Sequence, residues 1–256
     1  MKRRLKGIYL LVSSLFISLG QLPQAFAKLS LERNHNFQPV TSTIPLPSPL
    51  PELSEFFSVT GKSVYDSLHL NVAGLSKQAF LYAQKGWQKL VAQGRVLNES
   101  VMAIIDFSQP SDRKRLYVLD MRNYKLLFNT LVAHGKNSGK QWATSFSNKP
   151  SSYKSSPGFY ITQNTYNGSN GYSLKLEGIE PGINDKAAKR AIVMHGADYV
   201  SDSYIDAQGW IGRSEGCPAV PIAEANNIIG AIKDGTCLFI YPGNKSYVSR
   251  SPILRR

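Results

Sequence analysis

Short apolar runs recur along the chain from Val101 to Tyr241, and each is about as long as a β-strand. Apolar runs of about four to eight residues, bounded by turn residues, are typical of buried strands, whereas a helix needs a longer periodic pattern. The pair Arg122-Asn123 separates two of these runs and predicts the turn of a β-hairpin. The sequence therefore predicts a mainly β domain over 99–245. The expected strands are 101–107, 115–121, 124–132, 158–162, 172–176, 191–194 and 236–241.

Two segments with helical periodicity flank these strands. Between 62 and 94, apolar residues recur mostly three and four positions apart, which places them on one face of a helix. Ser76 is the expected N-cap of this helix and Gly94 its expected end. A second amphipathic helix is expected over 222–232, before the last strand. We therefore expect a mainly β fold with flanking helices, in which a helical segment at 56–98 packs on the β-rich domain.

The first 27 residues have the pattern of a secretory signal peptide. A basic stretch at Met1–Lys6 precedes a short apolar run over 8–19, and Ala25-Phe26-Ala27 fits the small-x-small rule for cleavage. The apolar run is shorter than the roughly 20 residues that span a bilayer, which favours cleavage over an uncleaved anchor. We therefore predict a signal peptide at 1–27, export to the periplasm or cell envelope, and no integral membrane span after cleavage.

The segments 28–55 and 246–256 and the net charge of the mature protein indicate which partners it can bind. Five prolines within 28–55 predict an extended tether, and three arginines within 246–256 predict a basic tail. Loss of the signal, which carries four basic residues and no acidic one, lowers the net charge from +13 to +9. A basic protein can bind nucleic acid, but export argues against that partner. An anionic envelope polymer is the more natural partner, unless the charge serves solubility alone.

Cys217 and Cys237 are the only cysteines in the sequence. They are too few for the disulfide framework on which many small exported domains depend. Cys237 lies in an apolar strand pattern and is expected in the core. Cys217 lies in a turn between Gly216 and Pro218, where glycine allows close approach of a substrate and backbone N–H groups can face an oxyanion. We therefore predict that Cys217 is a nucleophile; the alternatives are a buried inert thiol and a Cys217–Cys237 disulfide.

A nucleophilic thiol needs a base, because its ordinary pKa of about 8.5 leaves it protonated at neutral pH. His195 follows the apolar run 191–194, where it could meet a loop cysteine across the edge of the sheet. Ser214 has no Gly-x-Ser-x-Gly frame, so we expect it to support Cys217 and not to act as a nucleophile itself. No close pair such as Cys-x-x-Cys occurs, so no metal is predicted, and no other cofactor is expected.

Three further residues have roles that the sequence leaves open. His134-Gly135 repeats the pair His195-Gly196 after an apolar run. His134 therefore either lines the same cleft or is a strand-end histidine satisfied by the backbone. Asp198 and Asp202 either orient the imidazole or are surface acids of a loop.

This arrangement resembles the catalytic domain of the L,D-transpeptidases of bacterial peptidoglycan, the YkuD-like superfamily. That family places a histidine ahead of a Ser/Thr-His-Gly-Cys motif, which an apolar residue and Asn or Arg follow. In this chain Glu215 replaces the second histidine, Pro218-Ala219 replaces the last pair, and the gap of 18 residues between His195 and Ser214 is one longer than usual. A divergent branch with Arg-Ser-x-Gly-Cys-Pro-Ala-Val is more similar. The blocks that agree with this branch include 155–160, 195–200 and 213–220.

The resemblance implies a mixed β-sheet fold with a cysteine acyl-transfer site for peptidoglycan stem peptides. Cys217 would attack a tetrapeptide stem at the L-centre of its diamino acid, release D-alanine, and pass the acyl group to an amine of a second stem as a 3-3 cross-link. His195 would move the protons, and the main-chain carbonyl at position 215 would orient its ring. The N–H groups of Gly216 and Cys217 would form the oxyanion hole. The expected substrate-binding residues are Arg213, which would grip a stem carboxylate, His134 and Gly196.

Two other functions are compatible with the same residues. With water as the acceptor, the site would act as an L,D-carboxypeptidase or an endopeptidase, and Glu215 with Pro218-Ala219 leaves the choice of acceptor open. A non-catalytic peptidoglycan-binding module would require Cys217 to be dispensable. The oligomeric state does not follow from the sequence.

Overall fold

The computed structural model describes residues 63–255. The predicted signal peptide and proline-rich tether lie outside these residues, as does the start of the predicted helical segment. Within the described range, no helix is both long enough and apolar enough to cross a membrane.

One mixed sheet of eight strands forms the centre of the fold. The strands are β1 Val101–Asp106, β2 Leu116–Asp120, β3 Lys125–Thr130, β4 Gly158–Gly168, β5 Gly171–Gly178, β6 Val193–Ala197, β7 Ala219–Pro221 and β8 Cys237–Tyr241. Their order in the sheet is β3-β2-β1-β8-β4-β5-β6-β7. The pairs β1–β8 and β6–β7 are parallel, and the other neighbours are antiparallel. The predicted mainly β fold with flanking helices is therefore confirmed.

The strand that carries His195 differs from its prediction. It begins at Val193, because Ala191 adopts a left-handed conformation (φ +53°) at the end of a short 3-10 helix, Ala188–Arg190, and it continues past the histidine to Ala197. His195 consequently pairs with Ser173 on one side and with Ala219 on the other. The histidine is therefore held inside the sheet instead of at a free strand end.

The predicted first helix is two helices, α1 Val64–Ser67 and α2 Lys77–Ala92. The turns between them pass through left-handed backbone at His69 (φ +51°) and Gly74 (φ +89°), which interrupts the helical pattern. Ser76 is the N-cap, as predicted, and its Oγ accepts a hydrogen bond from the N–H of Ala79 at 3.4 Å. The remaining helices are α3 Asp202–Gln208, α4 Ile222–Ile232, which was predicted, and α5 Lys245–Arg250.

The sheet is buried on both faces in its middle. Alternate residues of β1 supply the two sides: Met102 and Ile104 join an apolar cluster with α1, α2 and α5, while Ala103 and Ile105 join a second cluster with α4. A Cβ at Gly86 of α2 would lie only 2.0 Å from the ring of Phe159, so glycine is what lets this ring pack against the helix. The two helical layers thereby fix the strands that carry the site.

The described part of the predicted basic tail, 246–255, packs into the core. The carboxylate of Glu180, which is fully buried, accepts a hydrogen bond from Tyr247 Oη at 2.8 Å and another from Ser251 Oγ. It also accepts one from the N–H of Phe159 at 2.7 Å. Tyr247, Ile253 and Leu254 are buried in the same cluster as α2. The prediction was based on the arginines, whereas the apolar residues and Ser251 make the contacts with the core.

Candidate active site

A cleft of about 1020 Å³ opens beside β6 and the turn before β7. It brings together five of the residues predicted for the site: Cys217, His195, Gly196, Arg213 and Ser214. Residues from several segments far apart in sequence complete its walls, among them Lys136, Tyr153, Arg190, Tyr199 and Glu215. The two residues predicted to carry the chemistry therefore face one solvent-filled space.

The imidazole of His195 is oriented by its own neighbour. Nδ1 lies 2.9 Å from the carbonyl oxygen of Gly196, and because a carbonyl can only accept, Nδ1 carries the hydrogen. This leaves Nε2 as the acceptor. The resemblance implied that the carbonyl at position 215 has this role, and the structure gives it to Gly196 instead.

The two aspartates that follow His195 lie elsewhere. Asp198 is exposed, and its Oδ1 accepts from the N–H of Tyr199 at 2.7 Å. Asp202 is exposed in the first turn of α3. Both match the surface-acid alternative.

Ser214 fixes the turn that presents Cys217. Its Oγ accepts from the N–H of Gly216 at 3.0 Å and donates to the carbonyl of Cys217 at 2.6 Å. This agrees with a supporting role for Ser214. It also means that the N–H of Gly216, predicted as an oxyanion donor, is already occupied. Among the described residues no hydrogen bond is made by the N–H of Cys217, which is therefore the candidate donor.

Gly216 is needed for the path of this turn. Its backbone is in the left-handed region (φ +126°), and a Cβ there would lie 2.9 Å from the carbonyl oxygen of Lys154. A side chain would therefore strain the backbone and push the turn away from the neighbouring wall of the cleft.

Cys217 and Cys237 are both free thiols, which excludes the disulfide alternative in this structure. Cys237 is fully buried in β8, as predicted. Cys217 is partly exposed, and its Sγ lies 3.7 Å from the carbonyl oxygen of Ala191. Burial raises the pKa of the Cys217 thiol and the charge of Glu215 adds to this, while the backbone N–H of Val193 and the charge of Arg190 lower it. The net increase means that the thiolate needs a base.

Arg190 is a cleft residue that sequence reasoning missed. Its guanidinium donates through Nη1 to the carbonyl of Ser147 at 3.0 Å and to Ser156 Oγ, and through Nη2 to the carbonyl of Lys154 at 2.6 Å. These bonds fix the segment 147–156, which forms one wall of the cleft. The only sequence signal was a basic pair, Lys189-Arg190, just before the strand of His195.

An exposed ion pair lies at the rim of the cleft. Lys136 Nζ is 2.9 Å from Glu215 Oε1, with 44% and 71% of the two side chains exposed. The same ammonium lies 4.0 Å from the centre of the Tyr153 ring. An exposed pair contributes about 0–1 kcal/mol, so a ligand at the rim can open it at little cost.

The two remaining residues predicted to bind substrate, Arg213 and His134, differ in their position relative to the cleft. Arg213 lines the cleft, and its Nη1 donates to the carbonyls of Lys136 and Gly139, each at 3.0 Å. His134 is fully buried outside the cleft, with Nδ1 2.8 Å from Arg115 Nη2 and Nε2 3.3 Å from the carbonyl of Gly139. Burial, together with the charge of Arg115, lowers the pKa of His134 to about 3. His134 is thus a neutral structural residue. The prediction that it contacts substrate is wrong, because the residue is buried outside the cleft.

Known proteins give matches of two kinds. The family model for the L,D-transpeptidase catalytic domain matches residues 71–241. Among solved structures, an L,D-transpeptidase from Mycobacterium smegmatis is 11% identical, with 55% of this chain and 58% of that chain covered and a TM-score of 0.34. The cell-shape protein Pgp2 from Campylobacter jejuni is 16% identical, with 61% and 55% covered and a TM-score of 0.39.

A third solved structure, L,D-transpeptidase 1 from Mycobacterium tuberculosis, is 12% identical, with 55% of this chain and 60% of that chain covered and a TM-score of 0.31. The chain thus spans less than two thirds of the length of these proteins. No curated protein matches the chain. The family model, by contrast, covers about two thirds of this chain and includes every residue predicted for the site. The chain therefore belongs to the L,D-transpeptidase catalytic domain family.

Proposed function

We propose that this protein is a cysteine-dependent L,D-transpeptidase of the bacterial cell envelope, which forms 3-3 cross-links between peptidoglycan stems. One observation carries the proposal: a free thiol, Cys217, shares a cleft with His195, whose Nδ1–H is engaged by the Gly196 carbonyl so that Nε2 can accept a proton. A thiol and an oriented imidazole are the two groups that acyl transfer requires.

In the first half-reaction, Cys217 becomes acylated. Nε2 of His195 takes the thiol proton, and the sulfur attacks the carbonyl at the L-centre of the diamino acid in a tetrapeptide stem. The oxyanion of the tetrahedral intermediate faces the free N–H of Cys217. When the intermediate collapses, the C–N bond breaks, the imidazolium returns its proton to the departing amine of D-alanine, and a thioester remains on Sγ.

In the second half-reaction, the acyl group leaves the enzyme. The side-chain amine of a second stem attacks the thioester carbonyl and gives a proton to His195, and the C–S bond breaks as Sγ recovers that proton. An amide cross-link and free Cys217 result. Water in place of the amine would release a tripeptide, which is the outcome expected of an L,D-carboxypeptidase.

Product analysis tests this proposal. The protein without residues 1–27 is incubated with a disaccharide tetrapeptide, and the products are followed by mass spectrometry. A cross-linked dimer that has lost one D-alanine supports transpeptidation, whereas tripeptide alone would assign the site to hydrolysis. Unchanged substrate, together with no carbapenem adduct on Cys217, would leave only a non-catalytic binding module. The Cys237 peptide, which comes from the core, is the internal control for thiol-specific labelling.

A further inference from the structure

One cation of the cleft lies outside the sequence blocks that resemble the family. Arg190 ends the short 3-10 helix that precedes β6, and its side chain lines the cleft together with Cys217. The chain carries Pro218-Ala219 directly after the cysteine, so neither of these two residues places a positive charge there. Arg190 comes to the cleft from a different segment.

The guanidinium of Arg190 is held rigidly. Besides its bonds to Ser147, Ser156 and Lys154, Nη2 lies 3.3 Å from Ser152 Oγ, so four acceptors of one wall share the planar group. A guanidinium with several acceptors in fixed directions cannot be replaced by the single ammonium of a lysine without loss of these bonds. The position of the charge is consequently set by the fold.

This charge lies against the turn of the nucleophile. A Cβ on Gly216, the residue before Cys217, would be 3.2 Å from Arg190 Nη2. The guanidinium is half-buried, and charges in such a place are screened less than those in open solvent. Burial lowers the pKa of the Arg190 guanidinium, and the charges of Tyr160 and Cys217 act in the opposite direction; burial raises the pKa of the Cys217 thiol, and the charge of Arg190 acts against that increase.

The other charged groups around the cleft do not supply this function. Glu215 is negative and disfavours the thiolate, and Lys136 is paired with it at the rim. Burial raises the pKa of Tyr199 to about 12, which keeps its phenol neutral. In the described part of the chain, Arg190 is the cation whose charge lowers the pKa of the Cys217 thiol, whereas Arg213 and Lys154, which donate to other loop groups, have no such effect. Asp198 is exposed.

We propose that Arg190 is a positioning residue that stabilises the negative sulfur of Cys217 and, through the same guanidinium, fixes the 147–156 wall against the nucleophile turn. The inference rests on the proposed role of Cys217 as the nucleophile. In this role the charge of Arg190 offsets part of the effect of burial on the thiol, so that a base can form the thiolate.

The test uses the thiol itself and needs no substrate. In iodoacetamide alkylation the thiolate sulfur displaces iodide, so the rate against pH gives the midpoint of thiol ionisation. The rate at Cys217 is measured by peptide mass spectrometry for the wild type, Arg190→Gln and Arg190→Lys. Lys189→Gln is the matched control, because Lys189 is the exposed basic neighbour and does not line the cleft. Cys237, fully buried, reports unfolding by becoming reactive.

We expect Arg190→Gln to raise the midpoint by about one pH unit and to slow alkylation at neutral pH by about tenfold, since one unit of pKa is one factor of ten. Arg190→Lys keeps the charge but loses several of the bonds that place it, so its midpoint should lie between those of the wild type and Arg190→Gln, whereas Lys189→Gln should keep the wild-type midpoint. An unchanged midpoint in Arg190→Gln with Cys237 still protected would overturn the proposal. If Arg190→Gln exposes Cys237, then Arg190→Lys decides: a midpoint less than a full unit above the wild type supports the role of charge, and a full unit of increase with Cys237 still protected refutes it. Absence of cross-linked product, by contrast, would count against the proposed function alone.

Discussion

His195 Nδ1 lies 2.9 Å from the carbonyl oxygen of Gly196, so the group that would act as base is oriented by the next residue of its own strand. Because β5 and β7 pair with β6 on both sides of His195, this carbonyl has little freedom to move. The orientation therefore depends on the sheet and not on the loop that carries Cys217.

Replacing this imidazole should slow acylation without unfolding the protein. A positioned general base contributes about 10²–10⁴-fold to a rate, and we expect a loss of that size in single-turnover acylation of His195→Gln. His69→Asn is the control, since His69 is exposed and does not line the cleft. A His195→Gln protein with wild-type acylation would remove His195 from the mechanism.

Glu215 should act on the thiol in the direction opposite to Arg190. Its charge raises the pKa of Cys217, so Glu215→Gln should lower the midpoint of iodoacetamide alkylation. Its pair with Lys136 is exposed, so the free energy of unfolding should change by less than about 1 kcal/mol. Alkylation profiles and urea unfolding measure the two effects separately. A midpoint that does not fall would show that the charge of this carboxylate does not raise the pKa of the sulfur.

Glu180 should be the main link between the C-terminal segment and the sheet. Glu180→Ala would leave buried donors on Tyr247, Ser251 and Phe159 without their acceptor, and we expect a loss of about 3 kcal/mol or more in urea unfolding. Glu177→Ala, at an exposed position nearby in sequence, should cost under about 1 kcal/mol. Equal losses in both variants would contradict the link.

His134 should make the protein sensitive to acid. The unfolded chain protonates this histidine below its ordinary pKa of 6.5, whereas the folded protein keeps it neutral down to about pH 3. The unfolded state therefore binds the proton first, and the free energy of unfolding falls as the pH drops through this window.

His134→Gln, which cannot titrate there but retains a donor and an acceptor, should show a shallower decrease with falling pH in urea unfolding. His69→Asn should keep the wild-type slope. If His134→Gln and the wild type have the same slope between pH 6.5 and about pH 3, the buried neutral histidine is not the cause.

The central strands could be predicted because they are buried on both faces and read as continuous apolar runs. β4 illustrates the limit: its first five residues are buried and were predicted, whereas Gln163–Gly168 is mostly exposed and carries little apolar signal. The turns between α1 and α2 were not predicted, because the apolar residues keep a helical spacing across them. Local sequence patterns therefore predict the buried strands and miss the exposed segments that extend from them.

Contacts within the site followed from the sequence best where the motif is local. Cys217 and Ser214 are neighbours in sequence, and their turn behaves as expected, apart from the occupied N–H of Gly216. His134 and His195 looked alike, since each precedes a glycine after an apolar run. What distinguishes them is Arg115, distant in sequence, which buries its guanidinium against His134. Arg190 was missed for the same reason, because its partners lie 34 to 43 residues away.

The mass of the enzyme during turnover tests the central claim most directly. After the protein is mixed with disaccharide tetrapeptide and quenched in acid, intact and peptide mass spectrometry should show an adduct equal to the substrate minus D-alanine, located on Cys217. The adduct should be absent from Cys217→Ala and formed slowly by His195→Gln. An adduct on any other residue, or turnover that persists in Cys217→Ala, would contradict the assignment of Cys217 as the nucleophile.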